Sequence, residues 1–227
     1  LQHCQYRGVD GVVIACVDFD DPQVLELVNS KLPVVTIDHV FNNRAAVVSD
    51  NVRGMEELVR HVYAKGHRRI AFIHGEQTAV TENRLTGFYR ACDVLELEIP
   101  DAYIREGVYH DPDRCAELTR ELLRLPEPPT CILMPDDFSS IGGRNAIHRM
   151  GLRLPEDISV VGYDGIQIAS VMSPALTTYR QDTQALGRTA AAKLIELIEK
   201  PRTALVDRIL IPGHLVEGAS VRAIETL

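Results

Sequence analysis

Seven short runs rich in β-branched residues recur along this chain, and each gives way to polar, Gly or Pro residues at its carboxyl end. They are Val12–Cys16, Val34–Ile37, Ile70–His74, Ala102–Arg105, Cys131–Met134, Ile158–Val161 and Leu176–Tyr179. Most precede a segment with apolar residues at helical spacing. Strands alternating with helices predict a parallel α/β sheet, because a parallel neighbour is reached only through a long crossover. Ligands of such sheets sit beyond the carboxyl ends of the strands. Asp38, Arg84, Tyr109, Asp136, Asp137, Asp164 and Gln181 fall there. Carboxylates, an amide, a guanidinium and an aromatic ring suit a polyhydroxylated small molecule. The chain therefore reads as a binding protein before it reads as an enzyme.

Charge and cysteine content narrow the class. The 227 residues carry a formal net charge of −8, which repels phosphate backbones and argues against this stretch gripping DNA by itself. The five cysteines, Cys4, Cys16, Cys92, Cys115 and Cys131, form no C-x-x-C pair. Cys16 and Cys131 fall in apolar runs, where thiols act as small hydrophobes. Reduced thiols in a cytoplasmic protein are the expectation. No apolar run approaches the ~20 residues of a membrane span, and no signal peptide opens the sequence. Leu1–Arg7 reads as the tail of a helix entering the first strand, so a strand–helix–strand is expected upstream.

Local signals place the helices. Asp20 or Asp21 caps, and Pro22 begins, a helix over Gln23–Ser30. Ser49 or Asp50 caps one with Val52, Met55, Val59 and Val62 inward, ended by Gly66. Leu85, Phe88 and Cys92 mark the next. Asp111-Pro112 opens a helix burying Cys115, Leu118 and Leu122. A weaker one over Ser139–Met150 contains Gly142 and Gly143, which permit close packing or close approach to a ligand. Ile166–Ser173 reads as a loop. Leu186, Ala190, Leu194 and Leu197 form a last helical stripe before two strands, Arg208–Ile211 and His214–Glu217.

From Ser49 onward several motifs occur in a telling order. They are Gly66-His67-Arg68-Arg69-Ile70-Ala71-Phe72-Ile73, then Arg84-Leu-Thr-Gly87-Phe88, then Pro129-Thr130 leading to Pro135-Asp136-Asp137. Gly151-Leu-Arg-Leu-Pro155-Glu-Asp157-Ile-Ser-Val-Val161-Gly-Tyr-Asp164 and Pro174-Ala-Leu-Thr177-Thr178-Tyr-Arg-Gln181-Asp182 follow. Together they resemble the ligand-binding core of the lac-repressor/gal-repressor family of bacterial transcription regulators; Leu1–Asp38 matches more loosely.

The resemblance implies a periplasmic-binding-protein-like fold with two doubly wound subdomains and a ligand cleft between them. Residues 1–49 and 183–208 would form one, and residues 50–182 and 209–227 the other. It implies a homodimer, an effector such as a sugar or polyol, and operator DNA bound through an amino-terminal helix-turn-helix absent from this sequence. Effector contacts carry over to Asp38, Arg84, Tyr109, Asp164 and Gln181, with Asp136 and Asp137 as a weaker site. No catalytic residue, cofactor or metal is implied.

Bland roles stand beside these: a turn residue at Asp164, a loop cap at Asp38, half-buried packing at Tyr109, strand-end bonding at Gln181. Alanine at Arg84 or Asp164 is expected to weaken binding with little loss of fold. Asp136 stands where the family usually carries Asn. It would add negative charge to the pocket, disfavouring an anionic effector. Leu215-Val-Glu-Gly218-Ala-Ser220 lacks the family's usual Arg before the Ser.

Two rival readings are an extracytoplasmic solute-binding protein of a sugar transporter, on the same fold, and a metal-dependent nucleoside hydrolase using Asp18–Asp21. No H-E-x-x-H, P-loop, G-x-G-x-x-G or G-x-S-x-G motif is present. His67 is expected as a cation at a helix carboxyl end.

Overall fold

The computed structural model describes residues 8–224; the expected helix tail at Leu1–Arg7, with Cys4, lies outside them. The chain divides into two compact units, residues 1–50 with 182–212 and residues 51–181 with 213–227.

In the first unit, β1 (Val12–Ile14), β2 (Val34–Ile37), β3 (Ala45–Ser49) and β9 (Arg208–Ile211) lie in that order, all parallel. β3 was not expected. Its Ala-Ala-Val-Val-Ser sequence is a weak strand signal, but a neighbour on each side buries every residue of it. β9, expected to open the other subdomain, instead pairs with β3. α1 (Pro22–Asn29) starts at Asp21, whose carboxylate accepts from the Gln23 amide at 2.7 Å, with Pro22 at the first turn. α7 (Thr183–Glu199) starts at Asp182 and lays Leu186 and Ala190 on Val35, Ala45 and Val47. Ile14, Leu27, Val28 and Val34 form a separate cluster. Cys16 lies past the end of β1, exposed and with φ of 55°, so its expected place in an apolar strand is corrected.

The second unit is a six-stranded sheet in the order β10 (His214–Val216), β8 (Thr177–Arg180), β7 (Ser159–Asp164), β6 (Cys131–Leu133), β4 (Ile70–His74), β5 (Ile104–Glu106). Every pair is parallel except β10 with β8. Both faces are covered, as a parallel sheet requires. Ile70 and Phe72 of β4 join α2 (Asn51–Ala64) and α3 (Ala79–Val94) on one face, where the Phe72 and Phe88 rings lie 5.3 Å apart. Ala71 and Ile73 join Cys115, Leu118 and Leu122 of α4 (Pro112–Leu123) and Ile147 of α5 (Ser140–Arg149) on the other. Each fully buried Phe, Leu or Ile contributes about 1.5–3 kcal/mol.

Gly142 lets α5 approach α4 closely: a Cβ there would overlap the Pro112 carbonyl oxygen. The segment expected as a loop after Gly165 contains a short helix, α6 (Gln167–Val171). Ala102–Tyr103, expected in a strand, form a 3₁₀ turn that precedes β5.

His67 is corrected most. It is wholly buried, its Nε2–H donates to the Arg222 carbonyl at 3.1 Å, and Nδ1 accepts from the Thr130 hydroxyl at 2.9 Å. Burial pushes its pKa down to about 4, so it is neutral rather than a helix-end cation.

Candidate functional site

In the second unit the chain runs from β4 to β5 on one side and returns to β6 on the other side of β4. Such a reversal opens a crevice at the carboxyl ends of the two central strands, since their crossovers depart in opposite directions. The loops after β4 and β6 border it, and α3 brings Arg84 to it.

Arg84 is held on all sides. It is 4% exposed. Nε donates to Asn51 Oδ1 at 2.9 Å, Nη1 to the Pro135 carbonyl at 2.8 Å, and Nη2 to Asp164 Oδ1 at 3.4 Å. The guanidinium carbon lies 3.6 Å from the centre of the Tyr163 ring and 5.4 Å from that of Tyr109. A planar, delocalised cation suits this stacked, forked setting; a lysine ammonium could not reproduce it.

Asp164 ends β7 with φ of 104°, a conformation costly for a residue with a Cβ and one that marks functional sites. Oδ1 also accepts from Gln181 Nε2 at 2.7 Å. The second oxygen receives no hydrogen bond from the described residues, and the side chain keeps 20% exposure. Burial raises its pKa, partly opposed by Arg84.

Tyr109 closes another side. Its hydroxyl meets Thr81 Oγ1 at 2.9 Å, and its ring occupies the space a Cβ on Gly75 would fill. Burial raises the phenol pKa as well.

Four of the expected residues, Arg84, Tyr109, Asp164 and Gln181, are thus gathered at one end of one sheet. Asp136 and Asp137 are close by but wholly buried and turned inward. Asp136 accepts from the Ser139 amide and hydroxyl, both at 2.7 Å, and from the His110 amide at 2.9 Å. The charge expected to face the pocket is therefore engaged internally. Asp137 accepts from the Thr178 hydroxyl at 2.6 Å and the Ile166 amide at 2.8 Å, tying the loop after β7 to β8. Burial pushes its pKa up to about 7.

Asp38 belongs to the first unit, at the end of β2, where φ is 58° and Oδ1 accepts from the Ser49 amide at 2.7 Å. Beside it His39 stacks on Phe19 at 4.3 Å and meets Phe41 at 4.6 Å. In the Asp18–Asp21 cluster, Asp21 caps α1 and Asp18 Oδ1 accepts from the Asp20 amide at 2.9 Å. Those are turn and cap roles.

Sequence reasoning missed Asn51, Tyr163 and Thr81. Tyr163 stood visible in the Val-Gly-Tyr-Asp motif, and Asn51 two residues after Ser49, but only the fold brings them to Arg84.

A family model described as a periplasmic binding protein-like domain matches residues 59–221. The chain belongs to this family. Within it, this is an effector-binding core of the LacI-family type. The probable HTH-type transcriptional repressor ExuR of Bacillus subtilis is 30% identical over 225 residues. The match covers 98% of this chain and 66% of that protein, so the chain spans just under two thirds of its length. A transcriptional regulator solved with cellobiose, CelR, superposes with a TM-score of 0.88 at 27% identity, covering 96% of this chain and 68% of that one. A LacI-family regulator from Enterococcus faecalis with bound ribose gives 0.83 at 26%, covering 96% and 79%. These relatives are regulators, which favours the regulatory reading over the transport one. Among the described residues, no helix is long and apolar enough to cross a membrane.

Proposed function

We propose that this core senses a neutral sugar or polyol and reports it to a DNA-binding segment of the same polypeptide, without catalysis. Arg84, Tyr109, Asp164 and Gln181 would contact the effector. The observation that carries this reading is the pinned Arg84–Asp164 pair at the sheet's reversal point, with one carboxylate oxygen left open. A fixed acceptor next to a fixed cation and an aromatic ring matches vicinal hydroxyls and the apolar face of a sugar ring.

Regulation would follow from linkage. An effector that binds one state of the core more tightly shifts operator affinity by a factor that operator binding returns to the effector. A homodimer would set the spacing of two DNA readers.

The test is calorimetric titration of the purified chain with neutral sugars and polyols, starting with ribose and cellobiose, alongside the matching uronic acids. Saturable binding of a neutral member that Asp164→Asn weakens supports the reading. Binding confined to the acids, or unchanged by Asp164→Asn, overturns it.

A further inference from the structure

The segment between β5 and α4 carries Tyr109 but has little backbone pairing of its own. The last ladder bond on one side is from the Gly107 amide to the His74 carbonyl at 2.8 Å, and α4 begins at Pro112. Between them, three consecutive amides are taken up by side chains. Tyr109 N donates to Glu76 Oε2 at 2.9 Å, His110 N to Asp136 Oδ2 at 2.9 Å, and Asp111 N to Ser139 Oγ at 3.1 Å. His110 has φ of 58°, a left-handed conformation that costs an L residue roughly 1–2 kcal/mol and needs outside support.

Resting on the effector reading above, we propose that Asp136 is a positioning residue for this site: with Ser139 it clamps the His110 and Asp111 amides and thereby sets Tyr109 against Arg84. The hydrogen bonds are ordered. Ser139 gives its single hydroxyl proton to Asp136 and uses a lone pair for the Asp111 amide. Three donors converge on the two oxygens of Asp136: the Ser139 amide on Oδ1, the Ser139 hydroxyl and the His110 amide on Oδ2. Only a carboxylate accepts all three. An asparagine offers one oxygen, so its NH₂ would face a donating backbone amide, that of Ser139 or that of His110.

The departure from the family's usual Asn at this position is therefore functional in this chain, and it acts through the backbone rather than on the ligand. The aromatic side of the site would be placed by a carboxylate on the loop after β6, across β4 from β5. If the clamp opens, Tyr109 loses its register with Thr81 and Gly75, and with it the 5.4 Å spacing to Arg84.

Two variants test this in the ligand-free protein, followed by NMR amide exchange. Asp136→Asn should speed exchange at His110 or at Ser139, whichever amide then faces the NH₂, by about tenfold or more, the scale of one lost charge-assisted bond, while the Ile70–His74 amides keep their protection. Ser139→Ala should do the same at Asp111, and it decides the matter if Asp136→Asn does not fold. Titration with ribose and cellobiose then gives the second readout: whichever the unmodified chain binds should bind Asp136→Asn about tenfold more weakly. Unchanged exchange at the His110, Asp111 and Ser139 amides, or faster exchange spread equally over β4, overturns the clamp. Equal sugar affinity with a loosened loop overturns the positioning role. Should neither sugar bind the unmodified chain, the sugar reading fails while amide exchange still decides the clamp.

Discussion

Replacing Arg84 with alanine should destabilise the second unit as well as abolish effector binding. The side chain is 5% exposed, and its loss strands two acceptors it now serves, Asn51 Oδ1 and the Pro135 carbonyl. A buried acceptor left without its charged donor costs roughly 1–3 kcal/mol. The cation over the Tyr163 ring adds up to about 2 kcal/mol when desolvated. Asp164 loses its counter-charge, though the 20% exposure of its side chain and its raised pKa let it take up a proton, so this part is small. With two such acceptors the sum is about 2–8 kcal/mol, a large share of the roughly 5–15 kcal/mol by which a domain is stable. With a urea dependence of about 2 kcal/mol per molar, the midpoint should fall by roughly 1–4 M. Because the two units need not unfold together, the readout should be amide exchange of Ile70–His74 across urea concentrations. A loss below about 1 kcal/mol would refute the claim that these contacts brace the unit, and would restore the sequence expectation of lost binding with an intact fold.

Four further outcomes follow from the same geometry. Gln181→Ala removes one bond to Asp164 and little packing, so sugar affinity should drop about tenfold while the thermal midpoint stays within a few degrees; a large thermal loss would make Gln181 structural. For His67 the folded pKa of about 4 lies below the unfolded 6.5, so its contribution is present above pH 6.5 and lost as pH falls toward 4. That amounts to about 3 kcal/mol, read as the difference in pH–stability curves between the unmodified chain and His67→Gln; parallel curves would contradict it. Asp137 should titrate near pH 7 by carboxyl ¹³C shift, and a midpoint below 5 would show that its hydrogen bonds outweigh burial. Gly142→Ala drives a Cβ into the Pro112 carbonyl and should cost about 3 kcal/mol in chemical denaturation, whereas helix propensity alone predicts a gain of about 1 kcal/mol.

Much of the second unit could be read along the chain because its signals are local. Asp111-Pro112 predicts a cap and first turn, and the structure has the Asp111 carboxylate accepting from the Arg114 amide at 2.9 Å. Apolar runs of four or five residues predict strands buried on both faces, and Ile70–His74 and Cys131–Leu133 are such strands. Periodicity and capping depend on residues three or four apart, so a single segment carries them.

What the sequence could not decide lay in partners distant along the chain. β3 is a strand because β2 and β9 flank it, although residues 45 and 208 are far apart in sequence. His67 looked like a helix-end cation until Thr130 and Arg222 closed around it and desolvated it. Asp136 and Asp164 are both acids at strand ends. Tertiary structure alone turns the first toward three donors of its own chain and leaves the second with an open oxygen. Residue type and spacing determined which groups stand at the carboxyl ends of the strands. Which of them face a ligand is decided by competition for hydrogen bonds among residues that meet only when the sheet has formed.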